Sequence, residues 1–509
     1  MHLVNASDWL SNAQDACFSV QPNPPLSAQA CRGDYRAFAW VMINRDNAII
    51  AGRDHFGLEP FYYYYDAKQF VFGSTIPDII QCLSTKPPLN PQRCIRECFS
   101  RHAAHYTPYD RVTFYDGIYR LTPGHVLTLK GGQLAEQSYW SLDLTATPLH
   151  YRDPRDYHAH FAQLLDEAVH FHGTGDHVAA ELSGGLDSSM LLTACQRANR
   201  QLHYFTHAQA AACEEHVHLQ SLIKRFDLQA QHHTIDARDF ELFKVMRWCS
   251  ERFAGAPPYL FFMLANTLHQ AVAASGMKVL LSGFGGDECV SGYVPMRAYL
   301  PQALREQPYR HIWRELQLHQ EHTTGSMHSP LAKLRALLTH AHPTLYQHLT
   351  RAGAKGCLPY CPTVKHYEYA LLQGAHCHPL RMRIEYSAVI AKKLGFQYRY
   401  PLLYPPLVEF CFNLPLSQKR SQGMSRYLVR HYLQQHGATV TSKALKMTGS
   451  ICGATLTKCL TAMAAGSFDQ AGNAPAFQNY WQTDNSEHEQ LIERIFSYMF
   501  TGYPVNTYG

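Results

Sequence analysis

One short segment constrains the fold of this chain more than any other: residues 183–189 read Ser-Gly-Gly-Leu-Asp-Ser-Ser. They follow a mostly apolar run, 178–182, that is typical of the end of a buried strand. A strand, a glycine turn and a helix starting near Met190 would direct backbone N–H groups and a positive helix end at one point. The segment lacks the ending of the common phosphate loop and the spacing of a dinucleotide fingerprint. It therefore indicates another kind of anion site, the alternative being a turn without a ligand.

A second segment about a hundred residues later repeats the pattern, since 278–288 read Lys-Val-Leu-Leu-Ser-Gly-Phe-Gly-Gly-Asp-Glu. Asp187 and Asp287 would then both lie at the carboxyl ends of parallel strands, where open α/β sheets bind their ligands. Either aspartate alone is more often a turn or cap residue. Two carboxylates that converge on a triphosphate suit Mg²⁺, which prefers oxygen ligands. The pair of segments therefore predicts a magnesium-dependent nucleotide site.

These segments also carry a resemblance to known proteins. The first resembles the pyrophosphate loop of the ATP pyrophosphatases, and 282–288 resembles the second signature of class B asparagine synthetases and their amide-forming relatives. The resemblance extends from about residue 30 to about residue 450. Further matches to the amidotransferase-like domain of that family lie at 53–63 and 70–74, and further matches to its C-terminal synthetase helices lie at 383–386, 399–403 and 407–410.

The expected architecture is a two-domain α/β protein. Strand-like alternation dominates to about Trp140, and a proline-bearing stretch follows it. After Val178 strands alternate with helices, as in a parallel sheet, and beyond Gly292 the chain reads as mostly helical. With the resemblance, this predicts a β-rich, degenerate amidotransferase-like domain of the Ntn-type α+β class at 1–147. An ATP-pyrophosphatase synthetase domain with a helical extension is expected at 155–509.

The resemblance implies ATP and Mg²⁺ as cofactors, with Asp187 and Asp287 on the metal. The other binding residues that it implies are Ser183, Gly184, Gly185 and Ser188 for pyrophosphate, Ser282 and Gly283 for the adenylate, and Leu182 and Thr206 for the adenine. It also suggests Lys446 as a cation near the triphosphate, with Lys443 as the competitor. Glu385 could orient or accept the proton of the amine, or simply pair with a basic residue. Glu288 could support the metal aspartate.

Two departures from the family pattern shape the functional prediction. The glutamine-using members carry a cysteine nucleophile after the initiator methionine, whereas this chain has His2, and Cys17 cannot replace it because its α-amino group is not free. We therefore expect no glutaminase activity and a domain that instead faces a partner or a peptide. Phe284 occupies the place of Glu in asparagine synthetases and of Tyr in β-lactam synthetases. It can neither move a proton nor pair with an ammonium, and it is expected to pack on the adenine or the sheet.

This pattern favours an ATP-dependent amide ligase that joins a carboxylate and an amine within one substrate, releasing AMP and pyrophosphate. Two groups of relatives do this: one closes a small lactam ring, and the other is the lasso peptide cyclases. The matches at 383–385, 399–403 and 407–410 resemble the second group more. The expected partner is a peptide or small molecule that carries a carboxylate and an amine, which in the second group is a precursor peptide with its leader-processing protein. Alternatives are an ammonia-dependent asparagine synthetase and a non-catalytic nucleotide-binding scaffold.

Composition excludes several other classes for this chain of 509 residues. The net charge of +5 comes without a basic run, so no nucleic acid is expected. No stretch reaches the roughly 18 apolar residues of a membrane span, and the start shows no secretory signal, which predicts a cytoplasmic protein. The 15 scattered cysteines are expected to be reduced, and the 31 histidines to be mainly surface residues without a metal.

Overall fold

A computed structural model shows two structural units, and the fold class expected from the sequence is confirmed. The first unit is built on antiparallel sheets and the second on a parallel sheet with helices. Within the described chain, no helix is both long enough and apolar enough to cross a membrane. The structure describes residues 2–5, 16–19, 23–44, 46–66, 69–88, 90, 111–208, 214–236, 248, 260–290, 294–324, 363–372 and 380–443.

The N-terminal domain consists of two antiparallel sheets around a shared core. The sheets have the orders β1-β6-β5-β7 and β2-β3-β4-β8-β9. Alternate side chains of these strands face inward, so that Phe70 of one sheet and Leu127 of the other meet in one apolar cluster. The elements are β1 (His2–Asn5), β2 (Ala16–Ser19), α1 (Ala28–Gly33), β3 (Ala39–Ile43), β4 (Ile49–Arg53), β5 (Tyr62–Tyr65), β6 (Gln69–Gly73), α2 (Ile76–Cys82), β7 (Ile118–Arg120), β8 (His125–Lys130) and β9 (Gln133–Ser138).

The Arg53-Asp54 pair, part of the family resemblance, stabilises a buried turn. The carboxylate of Asp54 accepts backbone N–H groups of Leu58 at 2.8 Å and Glu59 at 2.9 Å. The guanidinium of Arg53 donates to the carbonyl of Leu121 at 2.8 Å. Burial raises the pKa of Asp54, while these backbone hydrogen bonds act against the shift. Because all these partners are backbone groups, the motif fixes the chain path here.

The C-terminal domain is centred on a five-stranded parallel sheet in the order β12-β11-β10-β13-β14. Its strands are β10 (Val178–Glu181), β11 (His203–His207), β12 (His232–Ile235), β13 (Val279–Leu281) and β14 (Gln397–Arg399). The chain runs outward from β10 through β11 to β12 and then returns to β13 on the other side of β10. This reversal leaves a crevice outside the carboxyl ends of β10 and β13, the place where such sheets bind ligands.

Helices cover the sheet and make up most of the other described residues of this domain. The described helices are α3 (Pro154–His172), α4 (Leu186–Arg197), α5 (Glu214–Arg225), α6 (Leu260–Ala274), α7 (Met296–Glu306), α8 (Tyr309–Thr324), α9 (Val364–Leu372), α10 (Leu380–Leu394), α11 (Pro405–Phe412), α12 (Leu416–Lys419), α13 (Tyr427–Gln435) and α14 (Thr439–Ser442). A π-helical turn (Gly286–Val290), a 3₁₀ turn (Pro401–Leu403) and a hairpin of β15 (Arg420–Ser421) and β16 (Met424–Ser425) complete the set.

Two local expectations were wrong. The helix after the first glycine turn begins at Leu186 and not near Met190, because Gly185 has an extended backbone and leads directly into the helix. Asp187 therefore lies in the first helical turn. Arg399 belongs to the edge strand β14 and not to a helix. With three residues, this strand is too short to produce a readable alternation, and pairing with β13 defines it.

The two domains share a buried interface. Arg120 on β7 forms an ion pair with Glu385 on α10, with side chains 5% and 3% exposed. The indole N–H of Trp140 donates to Glu409 on α11 at 2.7 Å. One apolar core joins residues of both domains, including Phe38, Trp40, Phe56, Phe161, Leu402 and Leu407. The division at residues 147 and 155 stays a prediction, because the packing is continuous across it.

Candidate functional site

The two glycine turns predicted from sequence lie in direct contact. A Cβ atom at Gly283 would lie 2.9 Å from the backbone nitrogen of Ser188 and 3.0 Å from the carbonyl carbon of Asp187. A Cβ atom at Gly286 would overlap the side chain of Asp187. Only glycine therefore allows the second turn to approach the first this closely. The close approach brings Asp187 and Asp287 to one end of the crevice.

The first turn has the local geometry of an anion-binding loop. Gly184 has φ of +83°, and a Cβ there would lie 2.9 Å from the backbone nitrogen of Leu219 on α5. The Ser183 hydroxyl accepts the N–H of Gly185 at 3.2 Å and lies 3.1 Å from the Ser188 hydroxyl. No side chain caps the start of α4 at Gly185. The positive end of this helix therefore favours a phosphate at the turn.

A third residue, which sequence reasoning missed, bridges the two aspartates. The guanidinium of Arg426 lies 3.5 Å from Asp187 Oδ1 and forms an ion pair with Asp287. Arg426 has a left-handed backbone, with φ of +62°, between the β15–β16 hairpin and α13. Burial lowers the pKa of Arg426, and the charge of Asp187 acts against that shift. No motif in the sequence marks this arginine, because its approach depends on how α13 packs.

The two carboxylates fit the predicted magnesium ion. Both side chains are 21% exposed and approach the same guanidinium, which balances one of their two negative charges. Their oxygens are the ligands that Mg²⁺ prefers, and a triphosphate would supply more. Glu288 is buried one residue further on, in the π-helical turn. Among the described residues, no group of three or more His, Cys, Asp or Glu side chains could hold a metal ion.

The residues predicted to contact the adenylate form a buried wall at the carboxyl ends of β10, β11 and β13. Leu182 and Ser282 are each 1% exposed and Thr206 is 3% exposed. The Thr206 hydroxyl donates to the carbonyl of Leu182 and lies 3.0 Å from Nε2 of His232. These bonds connect the carboxyl end of β10 with β11, and β11 with the first residue of β12. The structure thus brings the predicted binding residues together, and their ligand contacts stay predictions.

A hydrogen-bonded network that sequence reasoning also missed lies beside this wall. Glu181 accepts hydrogen bonds from the Ser282 hydroxyl and, at 2.7 Å, from the Tyr398 hydroxyl. Tyr398 also lies 2.6 Å from Nε2 of His269. Burial raises the pKa of Tyr398 well above its usual value, so that it stays protonated at neutral pH. The signal for this network in the sequence was Glu181, the one polar residue in the apolar run 178–182.

Phe284 and Arg383 form the outer edge of this network. The guanidinium carbon of Arg383 lies 3.9 Å from the ring centroid of Phe284, and Arg383 Nη2 lies 4.0 Å from Glu181 Oε2. The ring of Phe284 packs against the apolar core that includes residues of the sheet. This is one of the two contacts expected for it, the other being the adenine.

Of the two predicted catalytic residues, the structure describes Glu385 but not Lys446. The Nε–H group of Arg120 donates to both carboxylate oxygens of Glu385, each at 3.1 Å, and Glu385 is 2% exposed. This fits the pairing alternative more closely than a free surface position. Its role as a proton acceptor stays a prediction. Lys446 lies outside the described residues. Its competitor Lys443 is the last residue described and is exposed.

The fold and the site together define a class of nucleotide-binding α/β protein, with a phosphate-type turn and paired carboxylates at the reversal point of a parallel sheet. Comparison with known proteins agrees with this class. Residues 160–440, more than half of the chain, match the Asparagine synthase family, and the protein belongs to that family. Residues 27–140 match the Glutamine amidotransferase domain.

Curated relatives share about a quarter to a third of the aligned residues. A Methanocaldococcus jannaschii protein named "Putative asparagine synthetase (glutamine-hydrolyzing) 2" is 26% identical over 279 residues, 53% of this chain and 52% of the relative. Amidase chry2 of Gibberella zeae is 28% identical over 297 residues, 52% of this chain and 41% of the relative. Asparagine synthetase (glutamine-hydrolyzing) 3 of Bacillus subtilis is 31% identical over 156 residues, 30% of this chain and 24% of the relative. The chain thus spans about half or less of the length of these relatives.

Proposed function

We propose that this protein is an ATP-dependent amide ligase that releases AMP and pyrophosphate. A substrate carboxylate oxygen attacks the α-phosphorus of ATP, the bond to the β-phosphate oxygen breaks, and pyrophosphate leaves. An amine nitrogen then attacks the acyl carbon, loses a proton, and AMP leaves. The observation that carries this proposal is the direct contact between two glycine turns that brings Asp187 and Asp287 to one guanidinium.

The chain's own residues have distinct parts in this proposal. Ser183, Gly185 and the open start of α4 bind the departing pyrophosphate. Asp187 and Asp287 would hold Mg²⁺, which supplies charge compensation for the triphosphate when bound. Leu182, Thr206, Ser282 and Gly283 shape the adenylate pocket. Arg426 lies close enough to assist, and the family resemblance adds Lys446.

We further propose that the carboxylate and the amine belong to one peptide, which the enzyme closes into a macrolactam like that of a lasso peptide. The motif resemblance and the presence of Phe284 in place of a Glu or Tyr support this choice. A precursor peptide and its leader-processing protein would then be the partners, and we place the reaction in the cytoplasm. The second candidate is an ammonia-dependent asparagine synthetase. The curated relatives named as asparagine synthetases support the asparagine product, while their names specify glutamine hydrolysis.

The N-terminal domain is proposed to lack glutaminase activity. Its β1 strand, which begins at His2, pairs with β6 and so forms part of the sheet edge. The domain contacts the synthetase domain through Arg120 and Trp140 and could present a partner or peptide to it. Glutamate release from glutamine, measured with and without Mg·ATP, tests the proposal, and glutamate release above a buffer control would contradict it.

The main experiment measures pyrophosphate release from Mg·ATP with two sets of substrates. One set is aspartate with ammonium, and the other is linear peptides with a free α-amine and an internal Asp or Glu. Peptide-dependent release with loss of one water from the peptide mass supports the macrolactam. Asparagine formation supports the second candidate. Turnover that yields ADP, or ATP binding without any pyrophosphate, counts against the ligase proposal.

A further inference from the structure

The second glycine turn is anchored at its first residue by the Ser282 hydroxyl. This hydroxyl accepts the backbone N–H of Phe284 at 3.2 Å and donates its own proton to the carboxylate of Glu181. A serine hydroxyl has one proton, so the bond to Glu181 leaves none to donate to a ligand. The residue is also 1% exposed. The Ser282 hydroxyl therefore holds the turn in place and does not itself donate a hydrogen bond to the adenylate.

The Glu181 carboxylate is held by further groups on the neighbouring strand and helices. The Tyr398 hydroxyl donates to Glu181 Oε1 at 2.7 Å and lies 2.6 Å from Nε2 of His269. Because the phenol proton goes to Glu181, Nε2 must carry the proton in the contact with Tyr398. Burial lowers the pKa of His269 to about 3 and raises that of Tyr398 well above its usual value, so both groups are neutral at physiological pH. Arg383 Nη2 approaches the same carboxylate at 4.0 Å.

The path of the second turn determines where Asp287 lies. After Ser282 the chain packs on the first turn through Gly283 and Gly286, where an added Cβ atom would meet Asp187. The N–H of Gly286 donates to the carbonyl of Gly283 at 3.4 Å. Asp287 is the next residue, so a displacement of the turn at Ser282 would move its carboxylate relative to that of Asp187.

From this geometry we propose that Glu181 is a positioning residue, which fixes Asp287 beside Asp187 for Mg²⁺ by holding the Ser282 hydroxyl. This inference rests on the proposed function, because it concerns the metal carboxylates of that site. Groups that orient the ligands of a metal change its affinity about ten- to a hundredfold when they are removed. Loss of the bond between Glu181 and Ser282 should therefore weaken the binding of Mg²⁺ and leave the contacts of ATP itself unchanged.

Two variants remove this bond from opposite ends. Ser282→Ala lacks the hydroxyl, and Glu181→Leu lacks the acceptor at a similar size. Each should raise the Mg²⁺ concentration for half-maximal pyrophosphate release about tenfold or more, while KM for ATP at saturating Mg²⁺ stays within about twofold. Because both remove the same interaction, the double variant should be within about twofold of either single one. Effects that multiply, or a raised KM for ATP in Ser282→Ala, would overturn the assignment.

Two further variants separate positioning from a general loss of stability. Glu181→Gln keeps an oxygen acceptor for Tyr398 and an amide donor for the Ser282 oxygen, so it should recover much of the Mg²⁺ dependence of the wild type. A Glu181→Gln variant that is no better than Glu181→Leu would contradict the positioning role. Ser275→Ala removes an exposed hydroxyl hydrogen bond just after α6 and is the matched control, which should behave as the wild type.

A binding measurement separates this inference from the ligase proposal. If no carboxylate yields pyrophosphate, the proposed function fails, but thermal stabilisation by α,β-methylene-ATP can still be titrated with MgCl₂. The Mg²⁺ concentration for half-maximal stabilisation should rise about tenfold in Ser282→Ala, with stabilisation retained at saturating Mg²⁺. Equal concentrations in both proteins, or a wild type without Mg²⁺-dependent stabilisation, would overturn the positioning role.

Discussion

Arg120 and Arg426 are buried arginines that contact carboxylates, and the two arrangements differ in almost every other respect. At the domain interface Arg120 forms an ion pair with Glu385, and these side chains are 5% and 3% exposed. At the end of the parallel sheet, the guanidinium of Arg426 contacts two aspartates that are each 21% exposed. The buried Arg120–Glu385 pair, which we call the closed pair, leaves no place for a further ligand. One cation shared by two partly exposed acids leaves carboxylate oxygens that a metal ion can use.

The comparison shows that a buried ion pair alone does not identify a functional site. Breaking a closed buried pair is strongly destabilising because it leaves an uncompensated charge. At the site of Arg426 and the two aspartates, a substitution should reduce activity that depends on the carboxylates before it reduces stability. Four predictions test this contrast, beginning with the largest expected effect.

Removal of either aspartate charge should abolish most turnover. We expect Asp187→Asn and Asp287→Asn to slow pyrophosphate release about a hundred- to a thousandfold, since they remove charge that organises the triphosphate. The isosteric change keeps the contact with Gly286, so the urea midpoint should change little. Asp176→Asn, at an exposed position, is the matched control and should behave as the wild type. Normal turnover in both site variants would remove the turns from the mechanism.

Loss of the interface arginine should mainly affect stability. Arg120→Met leaves Glu385 buried without its partner and should lower the free energy of unfolding by about 3–5 kcal/mol. The double variant Arg120→Met with Glu385→Met should recover much of that loss, which urea denaturation can measure.

Glu385→Gln, compared with Arg120→Met, decides the role of Glu385. If it acts only across the interface, Glu385→Gln and Arg120→Met should leave kcat of the folded enzyme nearly equal. A kcat that falls only in Glu385→Gln would instead support its proposed role as proton acceptor. Pyrophosphate release at saturating substrate, well below the unfolding midpoint, distinguishes these outcomes.

Arg426→Met should have an intermediate effect that magnesium reverses. Without the guanidinium, Asp187 and Asp287 repel each other, and partial exposure limits the cost to about 2 kcal/mol. Mg²⁺ should restore stability in the variant more than it stabilises the wild type, because it replaces the missing positive charge. Thermal unfolding with and without MgCl₂ measures this difference. Equal magnesium responses in both proteins would contradict a shared cation position.

The smallest effect concerns acid stability. Burial lowers the pKa of His172 and of His269 to about 3, so the unfolded chain binds these protons below about 6.5 whereas the folded chain does not. The stability that each neutral histidine contributes is present above pH 6.5 and is lost as pH falls toward 3. Each should add about 1.4 kcal/mol per pH unit to that loss. His172→Gln should reduce the slope of unfolding free energy between pH 6 and 4, and an unchanged slope would contradict the assignment.

Replacing His269 extends the contrast to activity. His269→Gln should reduce the acid slope as His172→Gln does, but it should also alter kcat/KM, because His269 contacts Tyr398 in the site network. His172, at the end of α3, lies beside Arg399 and Tyr404, and its replacement should leave kcat/KM unchanged. A loss of kcat/KM in both variants would show that the effect is structural.

Sequence reasoning was most successful where the information is local. Glycines that follow apolar runs indicate the turns at 183–189 and 282–288. Both turns lie where expected, at the ends of β10 and β13. The β-rich first domain and the parallel sheet were likewise predictable from alternation. Short elements were missed, since the three residues of β14 carry no period of their own.

Partners that are distant in sequence could not be predicted in the same way. Arg120 and Glu385 are 265 positions apart, and Trp140 and Glu409 are 269 apart. Glu181 was visible as a polar residue in an apolar strand, but its donors come from β14 and from the second glycine turn. Arg426 belongs to no motif, and its place depends on a left-handed residue at the start of α13.

The amino-acid sequence by itself determined the class of site in this protein: two strand-to-turn segments whose glycines, hydroxyls and carboxylates suit a magnesium-bound triphosphate. Only the tertiary structure decided which charged groups surround that site. It pairs Glu385 with the first domain, places Arg426 between the aspartates and supports Arg383 on Phe284. The physical reason is that backbone turns are specified by adjacent residues, whereas the environment of a charge depends on elements that only packing brings together.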